Sequence, residues 1–240
     1  MGAEAYITHM SGFRERIAME KTIRYLAFGD SLTVGFGAPE GYGFVSLYRQ
    51  KMEQLLNVPV ELHQVGKNGA TTTHLLQTLE SESRLQKDVQ EADIITITAG
   101  GNDLMQAAIP YFYQSDPNYL KSALHMFETN YKKLIAHIQV LRQGIRAPYV
   151  IALIGLYNPL PQVPDADYWV QRFNLFLRKL EQPHIYIVQV YDAFIGQDRH
   201  YLSEDAIHPN EQGYEVFARE VESAVSLQEL QQLVQITRQG

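Results

Sequence analysis

Two short polar segments of this 240-residue chain carry side chains that could act together in acyl transfer. Residues 29–32 read Gly-Asp-Ser-Leu and offer the hydroxyl of Ser31, whereas residues 205–209 read Asp-Ala-Ile-His-Pro. A serine is a weak nucleophile that needs a base within hydrogen-bond reach, and a histidine can be that base near neutral pH. The base needs an acceptor to fix its tautomer, and Asp205 lies three residues before His208.

Two further segments could stabilise the oxyanion of a tetrahedral intermediate. Residues 66–71 contain Gly69, and residues 100–103 read Gly-Gly-Asn-Asp and contain Asn102. An oxyanion needs fixed hydrogen-bond donors, which the amides of Ser31 and Gly69 and the side-chain NH2 of Asn102 could supply. A glycine suits position 69 because a backbone without a Cβ can approach a substrate closely.

The elements that must position these residues follow from the apolar pattern. Continuous, β-branched runs predict five strands buried on both faces, at residues 23–28, 58–65, 94–99, 149–154 and 185–190. Helical spacing separates them, most clearly at residues 44–56, 120–141 and 168–180, near Pro209 and at 227–234. This alternation predicts an α/β fold, a three-layer α/β/α sandwich around a mainly parallel five-stranded sheet.

A parallel sheet also predicts where the chemistry lies, because such sheets bind ligands outside the carboxyl ends of their strands. Residues 29–32, 66–71 and 100–103 each follow a predicted strand directly, and residues 205–209 follow the fifth strand after a longer excursion. We therefore expect the four segments to converge on one crevice.

Composition narrows the classes of function. Lys and Arg number 20 against 27 Asp and Glu, which gives a net charge of −7, and no basic run points to a nucleic acid partner. The absence of cysteine excludes disulfides, thiolate catalysis and cysteine-ligated zinc. The eight histidines show no metal-ligand spacing of the His-Glu-x-x-His type, so we expect neither a metal nor a cofactor.

Targeting and domain organisation are predicted from the same sequence. No apolar run approaches the roughly 18 residues that a membrane span needs. Residues 1–21 lack an apolar secretion segment and are predicted to be an N-terminal extension, whereas residues 22–240 are predicted to form a single domain. We expect a cytoplasmic location. The oligomeric state is not predicted.

The four segments, in this order, resemble those of the GDSL, or SGNH, hydrolase family, from about residue 23 to residue 221. Residues 153–159, Leu-Ile-Gly-Leu-Tyr-Asn-Pro, further resemble a Gram-positive bacterial lipase/acylhydrolase branch that includes spore germination lipases, which leaves spore association open. The resemblance implies a flavodoxin-like sheet and ester or thioester hydrolysis without a metal. It also implies Ser31 as nucleophile, Asp205 and His208 as its triad partners, and Gly69 and Asn102 in the oxyanion hole with Ser31.

The expected protein is thus a serine esterase or lipase whose partner is a small-molecule ester, an acyl lipid or a short-to-medium acyl ester. Lysophospholipase and acyl-thioesterase are alternatives within the family. A flavin- or nucleotide-binding flavodoxin-like module and a non-catalytic protein-binding scaffold are alternatives of other classes. Asp192 and Asp198 are weaker candidates than Asp205 for the partner of His208, since they lie further from it in sequence.

Three further expectations concern the surroundings of the site. Asp30 is predicted to be structural, binding loop amides near Ser31, and Asp103 to be a helix cap. Residues 104–119 are rich in apolar and aromatic side chains and could form a lid or acyl-chain wall, or simply helix core. Ala206 stands where many family members have glycine, and an alanine is expected to keep φ negative there.

Overall fold

A five-stranded, all-parallel sheet forms the centre of the structure, a computed structural model that describes residues 22–236. The strand order is β2-β1-β3-β4-β5, with bounds Ile23–Gly29 (β1), Val60–Gly66 (β2), Ile94–Thr98 (β3), Val150–Ile154 (β4) and Ile185–Val188 (β5). All five predicted strands are confirmed, with ends shifted by one or two residues. The chain leaves β1 for β2 on one side and then returns to β3 on the other, so the strand order reverses between β1 and β3.

Burial differs between central and edge strands. Every residue of β3 and of β4 is buried, as the continuous apolar runs predicted. The edge strand β2 has only its first residue, Val60, buried. The expectation of burial on both faces therefore holds for the middle of the sheet and is wrong for β2, which among the described residues pairs with a strand on one side only.

Helices cover both faces of this sheet. They are Ser31–Val34 (α1), Phe44–Leu56 (α2), Thr72–Ser81 (α3), Ser83–Glu91 (α4), Gly101–Gln114 (α5), Asn118–Leu141 (α6), Ala166–Arg178 (α7), Tyr191–Phe194 (α8), Asp198–Tyr201 (α9), Glu211–Ala224 (α10) and Leu227–Ile236 (α11). One core cluster joins the sheet to α3, α4, α6 and α7, and a second joins it to α2, α10 and α11. The three-layer α/β/α sandwich is confirmed.

Two details of the helices differ from the sequence-based expectation. The helix expected near Pro209 begins at Glu211, because Asn210 is its cap and accepts a hydrogen bond from the Gly213 amide at 3.0 Å. Helices α3 and α4 go beyond what the apolar spacing predicted. Helix α3 buries Leu75, Leu76 and Leu79, whereas the buried apolar side chains of α4 are only Leu85 and Val89.

The domain prediction can be compared with the structure only in part. Residues 22–236 share one sheet and its two core clusters, while the predicted extension at 1–21 lies outside the described residues. Within residues 22–236, no helix combines the length and the apolar character needed to cross a membrane.

Candidate active site

The candidate nucleophile, Ser31, lies just after the end of β1, where the strand order reverses between β1 and β3. Ser31 is the first residue of α1, and Asp30 before it caps that helix by accepting the Leu32 amide at 3.0 Å. The same carboxylate accepts the Thr98 hydroxyl, at the end of β3, at 2.8 Å. A Cβ on Gly29 would lie 2.2 Å from the Thr98 hydroxyl oxygen, so only glycine permits this close approach.

Asp30 thus has the structural role predicted for it, and its environment is costly for a charge. Burial raises the pKa of the Asp30 carboxyl, while the hydrogen bonds from Thr98 and Leu32 and the nearby His208 lower it in part. The net direction is upward, because the desolvation of a buried carboxylate outweighs these contacts.

Ser31, His208 and Asp205 form one hydrogen-bonded line. The Ser31 Oγ lies 2.9 Å from His208 Nε2, and His208 Nδ1 lies 2.6 Å from Asp205 Oδ2. With Nδ1 as the donor to the carboxylate, Nε2 is left as an acceptor that faces the serine hydroxyl. This is the arrangement in which an imidazole can take the serine proton.

The second oxygen of Asp205 fixes the loop that carries the histidine. Asp205 Oδ1 accepts the Ile207 amide at 2.8 Å, the His208 amide at 2.9 Å and the Ser203 hydroxyl at 2.9 Å. Desolvation would raise the pKa of Asp205, but the hydrogen bonds from His208, Ile207 and Ser203 together lower it well below its ordinary value. The carboxylate is therefore ionised and aimed at the imidazole.

The expectation of a negative φ at Ala206 is wrong. Ala206 has φ 58°, in the left-handed region that favours glycine. The reason is the tight turn around it, in which the Ala206 amide donates to the Ser203 carbonyl at 3.0 Å while three donors converge on Asp205.

Two aromatic side chains, Phe36 and Tyr157, contact His208 and the residue before it. The Phe36 ring lies against the His208 ring, with centroids 4.7 Å apart and planes inclined by 60°. The Tyr157 hydroxyl donates to the Ile207 carbonyl at 2.5 Å. Tyr157 belongs to residues 153–159, the segment that carries the resemblance to the lipase/acylhydrolase branch.

The candidate oxyanion donors lie on the other side of Ser31. Asn102 is in the first turn of α5, and its Nδ2 donates one hydrogen bond to the Ala70 carbonyl at 2.9 Å. An amide nitrogen carries two hydrogens, so one remains for a ligand. Gly69 has φ 75°, and no described atom lies within 4 Å of a Cβ built there. Its backbone conformation, rather than crowding by the protein, is therefore what favours glycine at position 69.

A mainly apolar cavity of about 280 Å³ opens beside Ser31, and Asn102 and His208 also line it. Its apolar lining comes from Leu32, Leu104, Met105, Leu156, Tyr157, Pro159, Val170 and Ile207. Gly69 lies on the adjoining loop rather than in this lining. The structure thus brings Ser31, Asn102, Asp205 and His208 together, with Gly69 next to them through Ala70.

Comparison with known proteins identifies the family of this chain. Residues 27–216 match the model of the GDSL-like lipase/acylhydrolase family, which is more than half of the chain. The chain belongs to this family. Over 208 residues it is 38% identical to the spore germination lipase LipC of Bacillus licheniformis, a match that covers 85% of this chain and 96% of LipC.

Solved structures agree with this assignment. The lipase Lip_vut3 from a goat rumen metagenome has a TM-score of 0.81 and 37% identity, covering 84% of this chain and 97% of that one. A mutant of an acetyl-xylooligosaccharide esterase from Geobacillus, at 18% identity and a TM-score of 0.62, covers 88% and 96% and shows the shared fold. The chain is therefore a carboxylic ester hydrolase. This excludes the alternatives of a flavin- or nucleotide-binding module and of a non-catalytic protein-binding scaffold.

The GDSL hydrolase joins α3, α5 and α6 through a buried polar network next to the candidate oxyanion donor Asn102. The Asp103 carboxylate accepts the Thr72 amide at 2.9 Å and the Thr72 hydroxyl at 2.5 Å, and Asn130 Nδ2 donates to the same hydroxyl oxygen at 3.2 Å. Asp103 therefore binds the first amide of α3, whose cap residue is Thr71, and the prediction that Asp103 is a helix cap is wrong. Burial raises its pKa, and the hydrogen bonds from Thr72 offset part of that rise.

A second cavity of the GDSL hydrolase, of about 440 Å³, lies between α7 and the residues that follow β5. Asp192 lines this cavity, whereas Asp205 is the carboxylate bonded to His208. In the part of the chain that the structure describes, no three His, Asp or Glu side chains are grouped so that they could hold a metal ion.

Proposed function

We propose that this GDSL hydrolase cleaves carboxylic esters of acyl chains, with Ser31 as nucleophile, His208 as general base and acid, and Asp205 as the carboxylate that orients the imidazole. The single observation that carries the proposal is the line of two hydrogen bonds, 2.9 Å from Ser31 to His208 and 2.6 Å from His208 to Asp205.

The first half of the reaction forms an acyl-enzyme. His208 Nε2 accepts the proton of Ser31 as Oγ attacks the acyl carbon, and the electron pair of the carbonyl moves onto its oxygen. When the intermediate collapses, the bond to the alcohol oxygen breaks and the imidazolium gives that oxygen its proton. Asp205 stabilises the imidazolium throughout without itself taking up a proton.

The second half releases the acid. His208 removes a proton from water, whose oxygen attacks the acyl-enzyme, and then returns the proton to Ser31 Oγ as the ester bond breaks. In both halves the negative oxygen would accept hydrogen bonds from the amides of Ser31 and Gly69 and from the remaining hydrogen of Asn102 Nδ2. The contact of Asn102 with the Ala70 carbonyl supports this role, because it fixes the side chain before a substrate arrives.

The substrate is proposed to be an ester with an acyl chain rather than a sugar ester. The apolar walls of the 280 Å³ cavity, such as Leu156 and Val170, offer contacts to methylene groups and few hydrogen bonds. The relationship to a spore germination lipase supports both an acyl lipid as substrate and association with spores.

The test combines labelling and turnover. An organophosphate should label the protein once and fail to label Ser31→Ala, while Ser122→Ala, which removes an exposed hydroxyl on α6, should be labelled like the wild type. A series of p-nitrophenyl esters from acetate to palmitate, with acyl-CoA beside it, should show turnover that rises with chain length and then falls. Full activity of Ser31→Ala would refute the proposal, and faster turnover of acyl-CoA than of every ester would reassign the substrate to thioesters.

A further inference from the structure

One face of α5 exposes a row of large apolar side chains. Met105, Ile109, Phe112 and Tyr113 are 38%, 61%, 56% and 87% exposed. Their spacing of four, three and one residues puts them on the same side of a helix. We call these four residues the α5 stripe. Isolated exposed apolar side chains are common, but a contiguous row of them marks a surface that binds a protein, a membrane or a ligand.

The α5 stripe begins at the mouth of the catalytic cavity. Met105 both lines that cavity and belongs to the stripe. Leu104, on the neighbouring side of the helix, lines the cavity too and packs against the first core cluster. The helix that was expected to be a lid, a wall or core is therefore a cavity wall on one side, core on another and bare apolar surface on a third.

The chemistry of the stripe favours an uncharged lipid surface. The only charged residue of α5 is Asp103, which is buried and bonded to Thr72. Without Lys or Arg on the helix, and with a chain net charge of −7, attraction to anionic lipids is not available. Aromatic side chains such as Phe112 and Tyr113 suit the boundary between headgroups and acyl chains.

Position argues against a protein occupant. A folded partner, or a second copy of this chain, seated on Met105 would cover the opening through which a substrate reaches Ser31. A lipid aggregate on the same surface would instead present acyl esters to that opening. The helix is also held in place before contact, because the Tyr111 hydroxyl donates to Asp165 at the start of α7 at 2.9 Å.

We propose that the α5 stripe docks this hydrolase on uncharged lipid aggregates, so that the acyl chain of an ester passes from the aggregate into the cavity beside Ser31. This inference rests on the proposed function for the nature of the substrate. It adds a binding surface outside the catalytic site, made by Ile109, Phe112 and Tyr113, with Met105 at the border of the two.

The test uses a double variant, Ile109→Gln with Phe112→Gln, since neither side chain lines the cavity. The matched control is Leu55→Gln with Val140→Gln, which removes two exposed apolar side chains from α2 and α6. Each protein is floated with phosphatidylcholine vesicles, and turnover is measured on p-nitrophenyl butyrate in solution and on a long-chain ester carried in the vesicles.

Wild type and control should float with the vesicles, and the stripe variant should bind about 10–100-fold more weakly, because two apolar side chains no longer leave water. Its turnover of the vesicle-borne ester should fall in parallel, while kcat/KM for p-nitrophenyl butyrate stays at the wild-type value. Ser31→Ala should still float, which separates this inference from the proposed catalysis.

Four results would overturn the inference. Wild type that stays unbound, or a stripe variant that floats like wild type, would remove the lipid surface. An equal loss of turnover on both esters would mean that the substitutions act through the catalytic cavity. A wild-type dimer that the stripe variant dissociates, without vesicle binding, would assign the surface to a second copy of the chain.

Discussion

Among the residues that the structure describes, Asp205 is the carboxylate bonded to the imidazole of His208, and this assignment is open to a direct test. Asp205→Asn keeps an oxygen for the amides of Ile207 and His208, but it can present an NH2 group to His208 Nδ1 and so favour the wrong tautomer. By analogy with serine proteases we expect kcat to fall by up to about 10⁴-fold while the fold is retained.

The control for this substitution is Asp192→Asn, which removes a carboxylate from the other cavity. Its kcat for p-nitrophenyl butyrate should match the wild type. Equal losses in the two variants, or none at Asp205, would contradict the assigned partner.

The lowered pKa of Asp205 makes a prediction about the acid limb of the activity profile. Its hydrogen bonds keep the carboxylate charged in the mildly acidic range where imidazole groups gain a proton. One proton uptake should then stop turnover, so log(kcat/KM) should fall with a slope of about one per pH unit. A slope approaching two would mean that Asp205 is protonated in the same range.

The lowered pKa of Asp205 also determines how its contribution to the stability of the fold depends on pH. A carboxyl whose pKa is depressed by folding stabilises the folded state above its ordinary pKa, and this contribution is lost as the pH falls through the lowered pKa. The stabilising effect of Asp205 is therefore fully present at neutral pH.

Ala206 is the residue at which a small change should stabilise the protein. Because its φ is 58°, Ala206→Gly relieves a left-handed alanine and should raise the free energy of unfolding by up to about 1 kcal/mol. Ala136→Gly, at an exposed position inside α6, should lower it by about 0.5–1 kcal/mol. Urea unfolding monitored by circular dichroism measures both, and a shared sign would contradict the conformation assigned to Ala206.

At the scale of elements, a buried polar network next to Asn102 joins α3, α5 and α6. Asp103→Ala would leave the Thr72 amide and the Thr72 hydroxyl without the carboxylate that accepts their hydrogen bonds. Because a buried unsatisfied group is costly, the free energy of unfolding should fall by about 1–3 kcal/mol. We also expect a lower kcat, since Asn102 is the neighbouring residue on α5.

A nearby exposed aspartate provides the comparison. Asp116→Ala removes a carboxylate that accepts the Asn118 amide at the start of α6 in an exposed position. It should cost no more than about 1 kcal/mol and leave kcat unchanged. Thermal unfolding of both variants, with turnover measured below the transition, tests the difference. Similar losses of stability would mean that the buried network stabilises the protein no more than the hydrogen bond of Asp116 does.

At the scale of the whole molecule, the last helix completes a core cluster remote from the catalytic cavity. Leu230 is 1% exposed and belongs to the cluster on the α2 and α10 face, whereas Leu227 on the same helix is 41% exposed. Leu230→Ala should lower the free energy of unfolding by about 2–5 kcal/mol, and Leu227→Ala by no more than about 0.5 kcal/mol. Both should keep the wild-type KM where folded; a changed KM would link this helix to the site.

Much of the fold could be predicted because buried parallel strands are continuous apolar runs and long helices have regular spacing. The exposure of the edge strand β2 could not be predicted, because the spacing of apolar residues does not show where in the sheet a strand lies. Helix α4 could not be predicted either, because its two buried apolar residues do not produce a clear helical period.

The candidate site divides in the same way. The pairing of Asp205 with His208 could be predicted because the two residues are close along the chain. The bond from Tyr157 to the Ile207 carbonyl joins residues 50 positions apart, which spacing cannot reveal. The left-handed turn at Ala206 likewise depends on several donors meeting one carboxylate, a property of the folded loop.

The hydrogen bond from Ser31 to His208 joins residues 177 positions apart. On the proposed mechanism, a nascent chain therefore leaves the ribosome with its nucleophile, Ser31, long before its base, His208. At a synthesis rate of about 5–20 residues per second, roughly 9–35 s pass between the two. During that interval the growing polypeptide would lack the base that activates Ser31, so ester cleavage would wait until the segment that carries His208 has been made.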